Sequence, residues 1–114
     1  MRADEFLSEG FDEIPNAMPD GDIILTNHLK DRLTLRKIDP ARVIHLLKRA
    51  GQRNKKDLLA LGDHASFILD KPELDVAILK IWHEPKQKYN YIVRTAHPTV
   101  KVGPGQTQIK VNEQ

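Results

Sequence analysis

The sequence predicts an α+β domain, with two N-terminal helices packed on one face of a three- to four-stranded antiparallel sheet. Three observations predict it. Between residues 26 and 53, apolar side chains recur at helical spacing in two runs divided by Asp39 and Pro40. From residue 65 to 97 the pattern changes to extended segments rich in β-branched and aromatic residues, separated by turn-formers. A chain of 114 residues has room for one core and no second.

Taken in order, the first 22 residues read as an acidic mobile arm, broken by Gly10, Pro15, Pro19 and Gly21, and the domain proper as residues 23–114. Ile23, Ile24 and Leu25 lead into the first helix, with Thr26 or Asn27 as N-cap and an end near Lys37. Asp39 and Pro40 form an N-cap and N1 pair for a second helix, which Gly51 is expected to end. The basic link "QRNKK" leads to a helical turn, "DLLAL", stopped by Gly62. The strands are "ASFIL", "LDVAILKIWH" and "YNYIVRTAH", and a fourth is drawn from "TVKV" or "TQIKV" on either side of the "GPG" turn at Gly103 to Gly105.

Hydrophobic content of 39% and charged content of 30% fit a globular chain. The absence of cysteine excludes disulfides and thiolate chemistry. No apolar run approaches the ~20 residues that span a bilayer, and the N-terminus lacks an apolar signal core, so a cytoplasmic protein with no membrane partner is expected. The net charge of +2 conceals an asymmetry: residues 1–22 hold one basic and seven acidic side chains, whereas residues 28–56 hold ten basic and two acidic. Only the middle block can steer a polyanion, and the acidic arm is suited to screening it.

Within that block, "HLKDRLTLRK" places His28, Arg32 and Arg36 at four-residue intervals. At 100° per residue, with His28 at 0°, Arg32 falls at about 40°, Arg36 at about 80°, Leu29 at about 100°, Leu33 at about 140° and Leu35 at about −20°. Leucines flank the stripe on both sides, so the body-facing arc carries charge. The second helix is a control: Val43, Ile44, Leu46, Leu47 and Ala50 fill one arc and Arg42, His45, Lys48 and Arg49 the other. Three explanations compete for the first helix. The arginines pair with carboxylates, they line a cleft for phosphate, or their stems lie over leucines with the heads in water.

The segment "HLKDRLTLRKIDPARVIHLL", with its His-x3-Arg-x3-Arg-x-Ile spacing, and the later strand "YIVRTAHP" together resemble the RelE-like and barnase-like group of small toxin ribonucleases. That group includes the BrnT-like toxins and related uncharacterised domains, and small phage-encoded proteins of unknown role also carry such segments. The resemblance covers residues 23–98. It departs where many relatives place Gly after the second Arg and this chain has Lys37, and where Arg94 and His97 replace a more apolar, Thr-rich ending. What it implies is RNA cleavage without metal or cofactor, by attack of the 2′-hydroxyl on the adjacent phosphodiester, with an acidic antitoxin-like inhibitor as a possible partner. Arg32 and Arg36 would hold phosphate, and His28 and His97 would serve as base and acid in an order left open. The alternative is a non-catalytic accessory protein, phage-derived in type, that binds nucleic acid or protein on the same scaffold.

Strict alternation puts Tyr89, Tyr91, Val93, Thr95 and His97 on one face of the last strand and Arg94 on the other. If the first face meets the cleft, Tyr91 stacks on a base and Thr95 bonds a phosphate; if Tyr91 and Val93 are core, the faces reverse and Arg94 is the phosphate contact. Lys55 and Lys56, in the basic link, are further candidate phosphate contacts. None of the five histidines stands at metal-ligand spacing, and Trp82 is most simply a core residue.

Overall fold

A computed structural model describes residues 11–71, 74–97 and 106–111. The chain builds strands β1 (Phe11–Met18) and β2 (Gly21–Thr26), then helices α1 (Asn27–Leu35), α2 (Pro40–Arg53) and α3 (Lys55–Ala60). Strands β3 (Ala65–Lys71), β4 (Leu74–His83), β5 (Lys88–His97) and β6 (Thr107–Lys110) follow. They form one six-stranded sheet in the order β1-β2-β5-β4-β3-β6. The pairs β2–β5 and β3–β6 are parallel and the other three antiparallel.

This corrects the expected fold. Instead of two N-terminal helices on three or four antiparallel strands, a β-hairpin precedes three helices and the sheet is mixed. The physical reason lies in the crossover: α1 to α3 carry the chain over one face, and β2 returns as a parallel neighbour of β5, a pairing that requires a long connection. Ile23, Ile24 and Leu25 are therefore buried strand residues, not a lead-in to a helix. The acidic segment expected to be an arm contributes residues 11–18 and 21–22 to the sheet and 19–20 to the turn between them, while residues 1–10 lie outside the described residues. So do the "TVKV" candidate strand and the "GPG" turn; the fourth strand comes from "TQIK".

The core lies between the helices and one face of the sheet. Leu29 and Leu33 of α1, Val43, Leu46, Leu47 and Ala50 of α2 and Leu58 of α3 meet alternate strand residues such as Ile23, Leu25, Phe67, Leu69, Val76, Ile78, Tyr91 and Val93. Asp39 caps α2 by accepting from the Ala41 N–H at 3.0 Å, with Pro40 in the first turn. Gly51 does not end α2. It sits inside the helix against β1, where a Cβ would fall 2.2 Å from the Ala17 carbonyl oxygen.

Two polar networks fasten the hairpin. Lys80, fully buried on β4, directs its ammonium at the carbonyl oxygens of Leu58 (2.8 Å) and Leu61 (2.9 Å) and at Asp20 Oδ2 (2.8 Å). The other Asp20 oxygen accepts from the Tyr91 hydroxyl. Nearby, buried Asp22 accepts from the Asn16 N–H and pairs with Lys86 at 2.7 Å and Lys88 at 3.0 Å. These bonds explain how an acidic hairpin holds the sheet edge: Asp20 in its turn, Asp22 on β2 and Glu13 on β1 meet lysines sixty or more residues away. No helix among the described residues is long and apolar enough to cross a membrane.

Candidate functional site

The site begins where β2 stops. Thr26 leaves the strand and caps α1, its hydroxyl accepting from the Leu29 N–H at 3.1 Å. Leu29 and Leu33 then anchor the helix to the core, and the wheel position of each residue sets its exposure. Arg36, next to the buried arc, is half-buried; Arg32 and His28, further round, are exposed; Leu35, beyond them, is 80% exposed. The stripe therefore runs along the border between core and solvent instead of facing the body squarely.

The end of α1 fixes its last arginine. Ile38 N–H bonds the Leu33 carbonyl and Lys37 N–H the Thr34 carbonyl, the paired bonds of a Schellman ending, with Lys37 in the left-handed region at φ 56°. Ile38 tucks into the core beside Leu33. With the turn locked, Arg36 Nη1 donates to the Thr95 hydroxyl at 2.8 Å and to the Ala96 carbonyl at 2.9 Å.

On β5 the alternation breaks. Ile78 pairs with Val93 and Ala77 with Thr95, leaving Arg94 as the extra residue of a β-bulge. Tyr91 and Val93 therefore face the helices, whereas Thr95, after the bulge, turns to the opposite face with Ala77. Neither face assignment made from strict alternation holds along the whole strand. The bulge presents Arg94 to solvent beside Thr95.

The outcome is a cleft of about 450 Å³ lined by His28, Arg32 and Arg36 from α1, Arg94 and Thr95 from β5, and by Ala77 and Gln106. Among the described residues no carboxylate pairs with Arg32, Arg36 or Arg94, and the bonds fixing Arg36 go to neutral oxygens. Three guanidinium groups gathered around one groove, with no counter-charge among the described residues, make a potential that favours an anion. Their planar forks suit phosphate oxygens.

Five of the nine candidate site residues therefore converge: His28, Arg32, Arg36, Arg94 and Thr95. The other four do not join them. Tyr91 is buried in the core with its hydroxyl on Asp20, so its ring is unavailable for stacking on a base. Its hydroxyl is pushed far above the ordinary phenol value, by burial first and by Asp20 second. His97 is exposed on β5, two residues past Thr95, and does not line the cleft. Lys55 and Lys56 are exposed at the start of α3; Lys55 borders a different cavity, and Lys56 lines neither. Ala77 and Gln106 had no sequence signal, since a small strand residue and a tail amide carry none.

No protein-family model, curated protein or solved structure matches the chain.

Proposed function

We propose that this chain binds RNA, seating a backbone phosphate in the cleft between α1 and the end of β5. The observation that carries the reading is the convergence of Arg32, Arg36 and Arg94 with no carboxylate partner among the described residues. Arg36 is held in place by Thr95 and Ala96, so part of the ordering cost of a phosphate contact is met before the ligand arrives. RNA is the polyanion suggested by the resemblance of residues 23–98 to the toxin ribonucleases.

A second reading, cleavage by 2′-hydroxyl attack, is favoured by one observation: His28 stands in the same cleft as the arginines. There it is placed to accept the hydroxyl proton while the guanidinium groups stabilise the charged phosphorane. With His97 outside the cleft lining, the leaving oxygen would take its proton from water.

The test is a binding titration of a labelled single-stranded oligoribonucleotide in excess EDTA, repeated at rising salt. Arg32→Gln and Arg94→Gln should each weaken binding by about tenfold, as expected for a lost charge-assisted contact. Each should also reduce the salt slope by roughly 0.7 for the phosphate contact removed. Intact RNA at the end supports the binding reading, and scission lost in His28→Ala supports the second. A wild-type chain that fails to bind RNA at low salt removes both.

A further inference from the structure

A second cavity, of about 870 Å³, is larger than the arginine cleft. It opens near the other end of β5, around Tyr89, six residues before Thr95 and therefore about 20 Å away along the strand. One wall is aromatic. Trp82 and Tyr89 are cross-strand partners, their rings edge to face at 5.0 Å between centroids and 76° between planes. The end of α2 and the start of α3 add Lys48, Gln52 and Lys55 to the lining.

Trp82, expected in the core, is 38% exposed and held in position. Its indole N–H donates to the Glu84 carboxylate, its backbone N–H donates to Asp63 Oδ1 at 2.7 Å, and Tyr89 braces the ring. A large apolar ring fixed at the rim of a cavity presents a stacking plane at little entropic cost. Glu84 and Asp63 hold the tryptophan but do not line the cavity, whose charged lining is mainly basic. Lys48 and Lys55 are exposed and have no carboxylate partner among the described residues. The single acidic residue lining the cavity, Asp20, has both oxygens engaged by Lys80 and Tyr91. Lys88 is paired with Asp22.

An aromatic surface that lines one cavity with an amide and two ammonium groups, uncompensated among the described residues, matches a ligand that is flat at one end and anionic at the other. We propose that this cavity is a nucleotide subsite, in which a base stacks on Trp82, Lys48 and Lys55 meet its phosphate, and Gln52 bonds the base edge. The site is separate from the arginine cleft and does not depend on it. A free mononucleotide and a nucleotide within an RNA strand present the same chemistry to it.

Trp82 is the chain's sole tryptophan, so its emission reports the site directly. The full chain is titrated with adenosine 5′-monophosphate, with adenosine and with inorganic phosphate. Saturable quenching by the mononucleotide is expected, weaker quenching by adenosine, and none by phosphate. The exposed pair Lys48→Gln/Lys55→Gln, checked for an unchanged circular dichroism spectrum, should weaken the mononucleotide by about tenfold. Arg32→Gln, which should impair RNA binding at the other cleft, should leave the mononucleotide titration unaltered, so the two assignments can fail separately. Absence of saturable quenching, equal quenching by phosphate alone, or a lysine double variant that superimposes on wild type would overturn the subsite. An adenylate octamer distinguishes the sources: tighter binding than the mononucleotide, weakened by Arg32→Gln, marks a strand ligand, and binding no tighter marks a free nucleotide.

Discussion

Arg36 and Thr95, 59 residues apart in sequence, are joined by a 2.8 Å hydrogen bond from guanidinium to hydroxyl that ties the last turn of α1 to the end of β5. Thr95→Val keeps the branched shape and removes the acceptor. We expect it to cost about 1 kcal/mol in urea denaturation, the net worth of one such bond, and to loosen RNA binding by freeing Arg36. Thr95→Ser should retain both properties. A valine variant that binds RNA like wild type would show that the anchoring of Arg36 is irrelevant to the cleft.

The buried ammonium of Lys80 uses its three donors on Leu58, Leu61 and Asp20. Lys80→Met leaves a carboxylate and two carbonyl oxygens short of a partner, and a loss of about 3–5 kcal/mol is expected. That is a large share of the roughly 5–15 kcal/mol that holds an ordinary domain together. Adding Asp20→Asn should recover part of the loss, because the stranded charge is then gone. Chemical denaturation of the single and double variants measures the coupling.

Stability should fall at both ends of the pH scale for identifiable reasons. Burial alone would raise the Asp22 carboxyl, but the Asn16 N–H and the ammonium groups of Lys86 and Lys88 outweigh it and hold the group well below the ordinary 3.8. A depressed folded value gives stability that is present above the unfolded value and lost as pH falls through the folded one. For Lys86, burial works to lower the value, but Asp22 and Glu13 raise it above 10.5. Its contribution is complete below 10.5 and lost as pH rises through the folded value. Melting temperature followed across pH should therefore show a plateau with two declining limbs. Asp22→Asn should lower the plateau and flatten the acid limb.

Gly51→Ala sets two effects against each other. Helix propensity favours alanine by about 1 kcal/mol, yet the new methyl would sit 2.2 Å from the Ala17 carbonyl oxygen. The obstacle is backbone, which cannot swing aside, so the packing cost should win and leave the variant about 1–3 kcal/mol less stable. An unchanged or higher melting temperature would mean that β1 shifts away from α2 without penalty.

Lys37 occupies a left-handed position that glycine adopts without strain. Lys37→Gly should relieve that strain against some added freedom in the unfolded chain, for a net gain of about 0.5–1 kcal/mol. Because the side chain is exposed and lies outside the cleft lining, RNA affinity should be preserved.

Individual elements can be read from local pattern; the sheet topology cannot, and the misses have specific causes. The Asp39-Pro40 start, the Thr26 cap and the extents of β4 and β5 follow from short-range chemistry. Strand β1 did not show, because Pro15 and the left-handed Asn16 look like loop residues and are tolerated only at a sheet edge. Its acidic character suggests solvent, since the lysine that meets Glu13, Lys86, comes from the turn before β5. In the cleft, helical spacing was enough to group His28, Arg32 and Arg36. Period-two counting makes Arg94 and Thr95 alternatives on opposite faces, because it has no means of registering one extra residue. Trp82 reads as core for a different reason: alternation gives the side of the sheet but not where the covering helices end.

Strand β2 makes its last parallel pairing between Leu25 and Val93, while β5 continues to His97. Beyond that pairing the end of β5 meets a side chain instead of a strand: the Arg36 guanidinium takes the Thr95 hydroxyl and the Ala96 carbonyl. Two further residues of β2 would set a strand beside that stretch and displace the arginine from it, so the overhang of one strand past its neighbour is what gives this guanidinium a seat.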